Sequence, residues 1–357
     1  MKTMDTTRLG RTELHVTRTA FGVLPLQRTP PDEAIRILQR AYDAGITLYD
    51  TARAYTDSEA KLGQALGTVR TRITIATKSG ATTRSGLLAD LETSLQALRT
   101  DYVDLLQLHN PKALPDPADP QSSYAGALEA RAKGMVRYIG MTNHSRELAA
   151  QAVASGLYDT LQFPLCMLSS VADLALVDQC RAADVGLIAM KPLSGGLITN
   201  VHAAFAFLWQ YTNVVPIWGI QRLSELDELL GLSAAPPPLD EALRAAISHD
   251  RAELSGAFCR GCGYCLPCPA DIPIPMAARM SLLLRRMPSE QFLNEAWSAK
   301  MERIAACTGC GHCRAHCPYE LDTPELLKRN LADYREFSLR SQPGQQAAPA
   351  PGVSAQR

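Results

Sequence analysis

The 357-residue chain has no excess of charge of either sign, since 36 Lys and Arg balance 36 Asp and Glu. Without a basic field to gather polyanions, nucleic acid is not an expected partner. No apolar run reaches the roughly 20 residues of a membrane-spanning helix, so a membrane is not expected either. The opening MKTMDTTRLGRTELHV lacks the apolar stretch of a secretory leader, which points to the cytoplasm and its reduced thiols. Cysteine is almost missing from the first two thirds, where only Cys166 and Cys180 occur and read as small buried hydrophobes. Large apolar residues are almost missing from 341–357, part of a segment from 336 onward that reads as a disordered tail.

What is present is a regular alternation of short β-branched runs with longer stretches of helical spacing. The strands are expected at 18–21, 47–50, 74–78, 103–109, 138–142, 160–163, 186–191 and 215–219. The helices between them are expected at about 32–44, 58–66, 87–99, 122–133, 146–155, 171–183, 201–211 and 224–231. An open doubly wound sheet would carry a Gly-rich fingerprint after its first strand, and Phe21-Gly22-Val23-Leu24-Pro25 is not one. Eight βα units instead predict a closed (β/α)8 TIM barrel over residues 1–232. The proline run inside 233–239 reads as a linker, and 240–335 reads as a small, mainly helical second domain.

In such a barrel, catalytic groups close the strands at the C-terminal face. Asp50 closes Thr-Leu-Tyr-Asp, Lys78 closes Ile-Ala-Thr-Lys, His109 closes Asp-Leu-Leu-Gln-Leu-His, and Tyr55 lies in the loop after Asp50. With Leu9-Gly10-Arg11-Thr12, Ile139-Gly140-Met141-Thr142-Asn143, Gln162 and Lys191-Pro192-Leu193-Ser194-Gly195-Gly196, these segments resemble the aldo-keto reductase family over roughly residues 7–231. The resemblance implies NAD(P)H-dependent interconversion of a carbonyl and an alcohol, with a catalytic tetrad of Asp50, Tyr55, Lys78 and His109. Hydride delivery leaves negative charge on the carbonyl oxygen, which a nearby acid must neutralise. Tyr55 is the expected acid, with its pKa lowered by the Lys78 ammonium; Asp50 is expected to hold the lysine and His109 to orient the carbonyl.

The resemblance also implies that Asn143 and Gln162 bond the nicotinamide carboxamide, with Met190 and Lys191 beside it. Gly219, Gln221, Arg222 and Glu225 belong to the loop expected to receive the adenosine phosphate. An arginine fork suits a 2′-phosphate, so Arg222 favours NADPH over NADH.

The other eight cysteines form Cys259-x2-Cys262-x2-Cys265-x2-Cys268-Pro and Cys307-x2-Cys310-x2-Cys313-x3-Cys317-Pro. The second fits the bacterial ferredoxin spacing, in which the last cysteine ligates the other of two cubes. That predicts two [4Fe-4S] clusters, one on Cys259, Cys262, Cys265 and Cys317, the other on Cys307, Cys310, Cys313 and Cys268. The shortened final spacing of the first motif leaves a purely local ligand set open, and zinc is the alternative metal. Helices are expected between the motifs at 274–287 and 289–306.

The whole therefore resembles an aldo-keto reductase carrying a ferredoxin-like iron–sulfur domain. Its clusters either exchange electrons with a redox partner protein or hold a small domain together. The alternative is an electron-transfer or redox-sensing module on an inherited barrel without turnover.

Overall fold

Runs of buried residues at alternating inner and outer positions build the barrel, as parallel strands covered on both faces require. The computed structural model describes residues 4–254, 258–287 and 289–340. All eight expected barrel strands are present: β3 (Ala20–Gly22), β4 (Leu48–Asp50), β5 (Thr74–Ser79), β6 (Val103–His109), β7 (Val136–Thr142), β8 (Thr160–Pro164), β9 (Gly186–Met190) and β10 (Val214–Gly219). They pair in parallel in chain order, and β10 closes on β3. An antiparallel pair that the hydrophobic pattern did not announce, β1 (Thr6–Arg8) and β2 (His15–Thr17), precedes them.

That hairpin closes the N-terminal end of the barrel. Leu9, Leu14 and Val16 join an interior cluster with Ala20, Leu48, Ala76, Leu105, Ile188, Val215 and Ile217. Period-2 alternation then sets the polar residues that follow on the same inner face: Asp50 after Leu48, Lys78 after Ala76, Gln107 and His109 after Leu105. The intervening Tyr49, Ile75, Leu106 and Leu108 face outward into the larger shell between strands and helices. Gly140 on β7 leaves room for Gln107, because a Cβ there would come within 3.1 Å of its Cγ and 2.2 Å of Thr160 Oγ1.

The shell helices are α1 (Pro31–Asp43), α2 (Ser58–Leu66), α3 (Arg84–Leu98), α4 (Ser123–Ala132), α5 (Arg146–Ser155), α6 (Val171–Ala182), α7 (Val201–Trp209) and α8 (Leu223–Ala234). Five start where Thr83, Ser122, Ser145, Ser170 and Asn200 accept a first-turn N–H in their side-chain oxygen, which supplies a partner to an otherwise orphaned donor.

The chain divides into two units, Met1–Glu253 and Leu254–Arg357. This moves the expected boundary. Helix α9 (Glu241–Glu253), read from sequence as part of the second domain, belongs to the barrel unit. It buries Ile247 in the barrel shell, and its Arg251 Nε donates to Met167 O at 2.7 Å. The prolines at 236–238 therefore separate two helices of one unit.

The second unit contains α10 (Ile274–Ala277), α11 (Met280–Arg286), α12 (Glu295–Glu302), α13 (His312–Ala315) and α14 (Thr323–Arg340). The two long helices expected between the motifs are each broken into shorter pieces. Helix α14 runs through 336–340, so the tail does not begin at 336; residues 341–357 lie outside the described residues. Asn330 on α14 ties this unit together, accepting from Ser281 N at 2.8 Å and donating to Leu326 O at 2.8 Å. The Tyr334 hydroxyl donates to Phe292 O at 2.8 Å.

Candidate active site and cysteine centres

The four polar strand-end residues meet at the C-terminal mouth of the barrel. Lys78 Nζ donates to Asp50 Oδ1 at 2.5 Å and to Thr51 O at 2.7 Å, and both side chains are almost completely buried. Asp50 also accepts from Gln107 Nε2 at 3.1 Å and Gln162 Nε2 at 3.5 Å. Burial alone pushes the carboxyl up and the amine down, toward neutrality. The short contact and the additional donors on Asp50 favour the ionised pair.

Tyr55 is brought over this pair by its loop. Thr51 N donates to Ala76 O at 2.9 Å and Arg53 N to Lys78 O at 3.0 Å, which continues the β4–β5 ladder beyond the strand end. Lys78 Nζ lies 5.0 Å from the centre of the Tyr55 ring, and the His109 ring meets Tyr55 edge-on with centroids 5.8 Å apart. Sequence reasoning expected Lys78 to lower the tyrosine pKa. The opposite holds: burial, reinforced by Asp50, pushes the Tyr55 phenol well above its ordinary value. The lysine charge is already matched by Asp50, so desolvation outweighs it.

Burial, with Lys78 adding to it, pushes the His109 imidazole down to about 3. The unfolded imidazole keeps a value near ~6.5. Between those two values the unfolded chain takes up a proton that the folded chain refuses, so stability rises with pH. His109's contribution is therefore complete above ~6.5 and is lost as pH falls toward 3. From about pH 7.5 to about pH 5, wild type should lose about 2 kcal/mol more unfolding free energy than His109→Gln. Urea titrations at the two pH values measure this, and equal losses would mean that the ring is not held neutral.

Two contributors were not singled out from sequence. Gln107 carries a signal only in hindsight, as a polar inner-face residue two positions before His109. Glu59, buried in the first turn of α2, accepts from Thr77 Oγ1 at 2.6 Å and pairs with Arg53, linking the Tyr55 loop to the outer face of β5.

At the same mouth, Asn143 is buried and already engaged, donating to Pro111 O at 2.9 Å and accepting from Ser145 N at 2.7 Å. Gln162 uses its amide nitrogen on Asp50 and leaves its buried Oε1 without a partner. A carboxamide N–H would satisfy that oxygen, so the residue fits a nicotinamide. Met190 closes β9 and packs in the interior layer, while Lys191 after it takes a left-handed φ of 58°. Gly219 ends β10, leading to Gln221 and Arg222 at the start of α8.

In the second unit both cysteine motifs use the same backbone device. Gly261 and Gly263 have φ of 64° and 86°, and Gly309 and Gly311 have 67° and 74°, left-handed turns that glycine adopts without steric cost. Cys268, Cys307, Cys310 and Cys313 line one recess, together with Cys265 and an apolar wall that includes Ile272, Ile274 and Leu327. Cys259 interacts electrostatically with Cys262 and Cys317, and Cys265 with Cys259, Cys262 and Cys313. Burial pushes the Cys265 thiol up to about 12, with Cys259 and Cys262 adding to it. Among the described residues, no three Cys, His, Asp or Glu side chains converge on a point that could hold one metal ion. In a cubane each thiolate binds a different iron, and eight cysteines in two motifs that each begin C-x2-C-x2-C are donors of that chemistry.

Residues 18–206, a little over half of the chain, match the model of the aldo/keto reductase family. The chain belongs to the aldo/keto reductase family. Residues 258–322 match a 4Fe-4S dicluster domain, which indicates iron–sulfur clusters in the second unit. The uncharacterized oxidoreductase YrpG of Bacillus subtilis is 31% identical over 227 residues, 55% of this chain and 68% of that protein. Aldo-keto reductase str7 of Strobilurus tenacellus is 30% identical over 210 residues, covering 52% of this chain and 61% of that one. Methylglyoxal reductase DkgB of Salmonella typhimurium is 32% identical over 183 residues, 50% of this chain and 67% of that one. The chain thus spans about two thirds of the length of these relatives, and less for str7. Among solved structures, the holo form of aldo-keto reductase AKR11C1 from Bacillus halodurans matches with a TM-score of 0.61 at 20% identity, over 69% of this chain and 96% of that one. This likeness shows the shared barrel fold.

As an aldo/keto reductase, the chain carries the family's barrel together with a region that matches a 4Fe-4S dicluster domain. No helix among the described residues is long and apolar enough to cross a membrane. Cys180 is fully buried in the shell, and Cys166 packs partly against it.

Proposed function

We propose that the barrel reduces a small aldehyde or ketone to an alcohol with NAD(P)H, using Tyr55 as general acid. The observation that carries this reading is the buried Asp50–Lys78 pair against Tyr55 and His109 at the barrel mouth. When bound, the reduced nicotinamide would supply the hydride; Gln162, through its unpartnered Oε1, and Asn143, through its remaining amide hydrogen, would hold its carboxamide. Tyr55 keeps its proton at any working pH and gives it to the carbonyl oxygen as negative charge develops there. His109, neutral at working pH, orients that oxygen through a ring nitrogen. Asp50 fixes the Lys78 ammonium beneath the phenol, where its field stabilises the negative charge left on the phenol oxygen as the proton departs. The reverse direction would need Tyr55 as a tyrosinate, which its burial disfavours, so the site is set for reduction.

The second unit holds two [4Fe-4S] clusters, one on Cys259, Cys262, Cys265 and Cys317, the other on Cys268, Cys307, Cys310 and Cys313. The last four share one recess, which Cys265 of the first set also lines. Eight thiolate ligands suit a reducing compartment such as the cytoplasm. These cysteines would hold the cubes, which would supply one-electron chemistry where a hydride carries two electrons.

The test uses anaerobically purified holoprotein with a carbonyl panel headed by methylglyoxal, followed by nucleotide oxidation. Turnover of at least one carbonyl is expected. Absence of turnover across the panel, with clusters that bleach under a chemical reductant, would instead favour the redox module.

A further inference from the structure

In closed α/β barrels, phosphate groups are commonly seated by the loops after the seventh and eighth strands, at a helix N-terminus. Here the loop after the eighth barrel strand, β10, leads into α8, and its donors are already taken by one carboxylate. Glu225 Oε2 accepts from Gln221 N at 2.9 Å and Arg222 N at 3.2 Å. Its Oε1 accepts from Arg222 Nε at 2.9 Å and Nη2 at 2.7 Å. A single side chain thus occupies both the backbone donors and the guanidinium fork that an anionic ligand would use. The rest of α8 adds Asp227 and Glu228, and the helix carries no Lys or Arg of its own. Arg40 reaches Asp227 at 3.2 Å across an exposed surface, so that cation is also engaged.

We propose that Glu225 is a specificity residue that makes this chain take NADH in preference to NADPH. The inference rests on the nucleotide-dependent reduction proposed above, and it reverses the preference that Arg222 alone implied. A 2′-phosphate brought to this loop meets a carboxylate of the same sign and must break the Arg222–Glu225 pair to reach the fork. The free 2′-hydroxyl of NADH carries no charge and donates a hydrogen bond that a carboxylate accepts, the pairing by which acidic residues select NAD elsewhere.

The experiment is a binding titration of NADH and NADPH, by quenching of intrinsic fluorescence, on the anaerobic full-length holoprotein. The variants are Glu225→Gln and the double variant Glu225→Gln with Arg222→Ala. Wild type is expected to bind NADH about tenfold or more tightly than NADPH. Glu225→Gln keeps an amide oxygen for the two backbone donors, which preserves the start of α8, and is expected to narrow the ratio by strengthening NADPH binding. Arg222→Ala in that background should remove the gain, since the freed fork is its source. Wild type binding NADPH as tightly as NADH, or a Glu225→Gln ratio unchanged from wild type, overturns the proposal while leaving the reductase reading intact. Failure of both nucleotides to bind wild type overturns both readings.

Discussion

Replacing Tyr55 by phenylalanine is expected to lower turnover by about 10²–10⁴, the usual worth of a positioned general acid, while nucleotide affinity stays close to wild type. The substitution removes one oxygen and keeps the ring that packs against His109 and Lys78. The loop that carries the residue is fixed by backbone bonds from Thr51 and Arg53 to β5, which the change does not touch. No neighbour can take over. Lys78 is committed to Asp50 and Thr51 O, and His109 has no proton to spare at neutral pH. Single-turnover measurement with saturating nucleotide separates the proton-transfer step from binding. Turnover equal to wild type would remove Tyr55 from the chemistry and leave the buried pair as a structural feature.

Removing one thiolate from the recess in the second unit has an effect of similar size, on folding instead of rate. Cys313 is buried beside Cys268, Cys307 and Cys310, in a unit whose described helices are short apart from α14. A small unit with so little packing draws much of its stability from its metal, as other metallo-domains do. Cys313→Ala should therefore cut iron from about eight per chain to about half. It should also expose the second unit to protease while the barrel still binds nucleotide. Cys180→Ala, in the barrel shell, is the control and should leave iron content unchanged. Full iron content in Cys313→Ala would show that this recess does not hold a cube.

The barrel is legible because its apolar runs recur at a regular spacing with helical stretches between them, and three of the expected strands end in Asp50, Lys78 and His109. The β1–β2 hairpin is not, since Thr-Thr-Arg and His-Val-Thr hold a single apolar residue, Val16, between them. The prolines at 236–238 announce a break in the chain but not which side of it a helix will pack on, and so α9 was assigned to the wrong unit. In the site, Asp50, Lys78 and His109 stand out as polar ends of apolar strands. Gln107 and Glu59 act through burial against partners distant in sequence, which no local pattern reveals. The same limit explains the tyrosine: proximity of Tyr55 to a lysine could be read from the motif, but not that the lysine's charge is spent on Asp50. Arg222 likewise reads as a free cation until Glu225 is seen to hold it.

The depth of the Asp50–Lys78 pair has a consequence for ionic strength. Mobile ions screen charges only where water can carry them, and at 0.15 M that screening acts over about 8 Å of solvent. With 2% and 1% of their side chains exposed, Asp50 and Lys78 lie out of its reach, whereas Arg222, at 67%, does not. On the proposed reading, added salt is therefore expected to act on nucleotide capture at the rim and to spare the chemical step, so a salt titration would separate the two without any mutation.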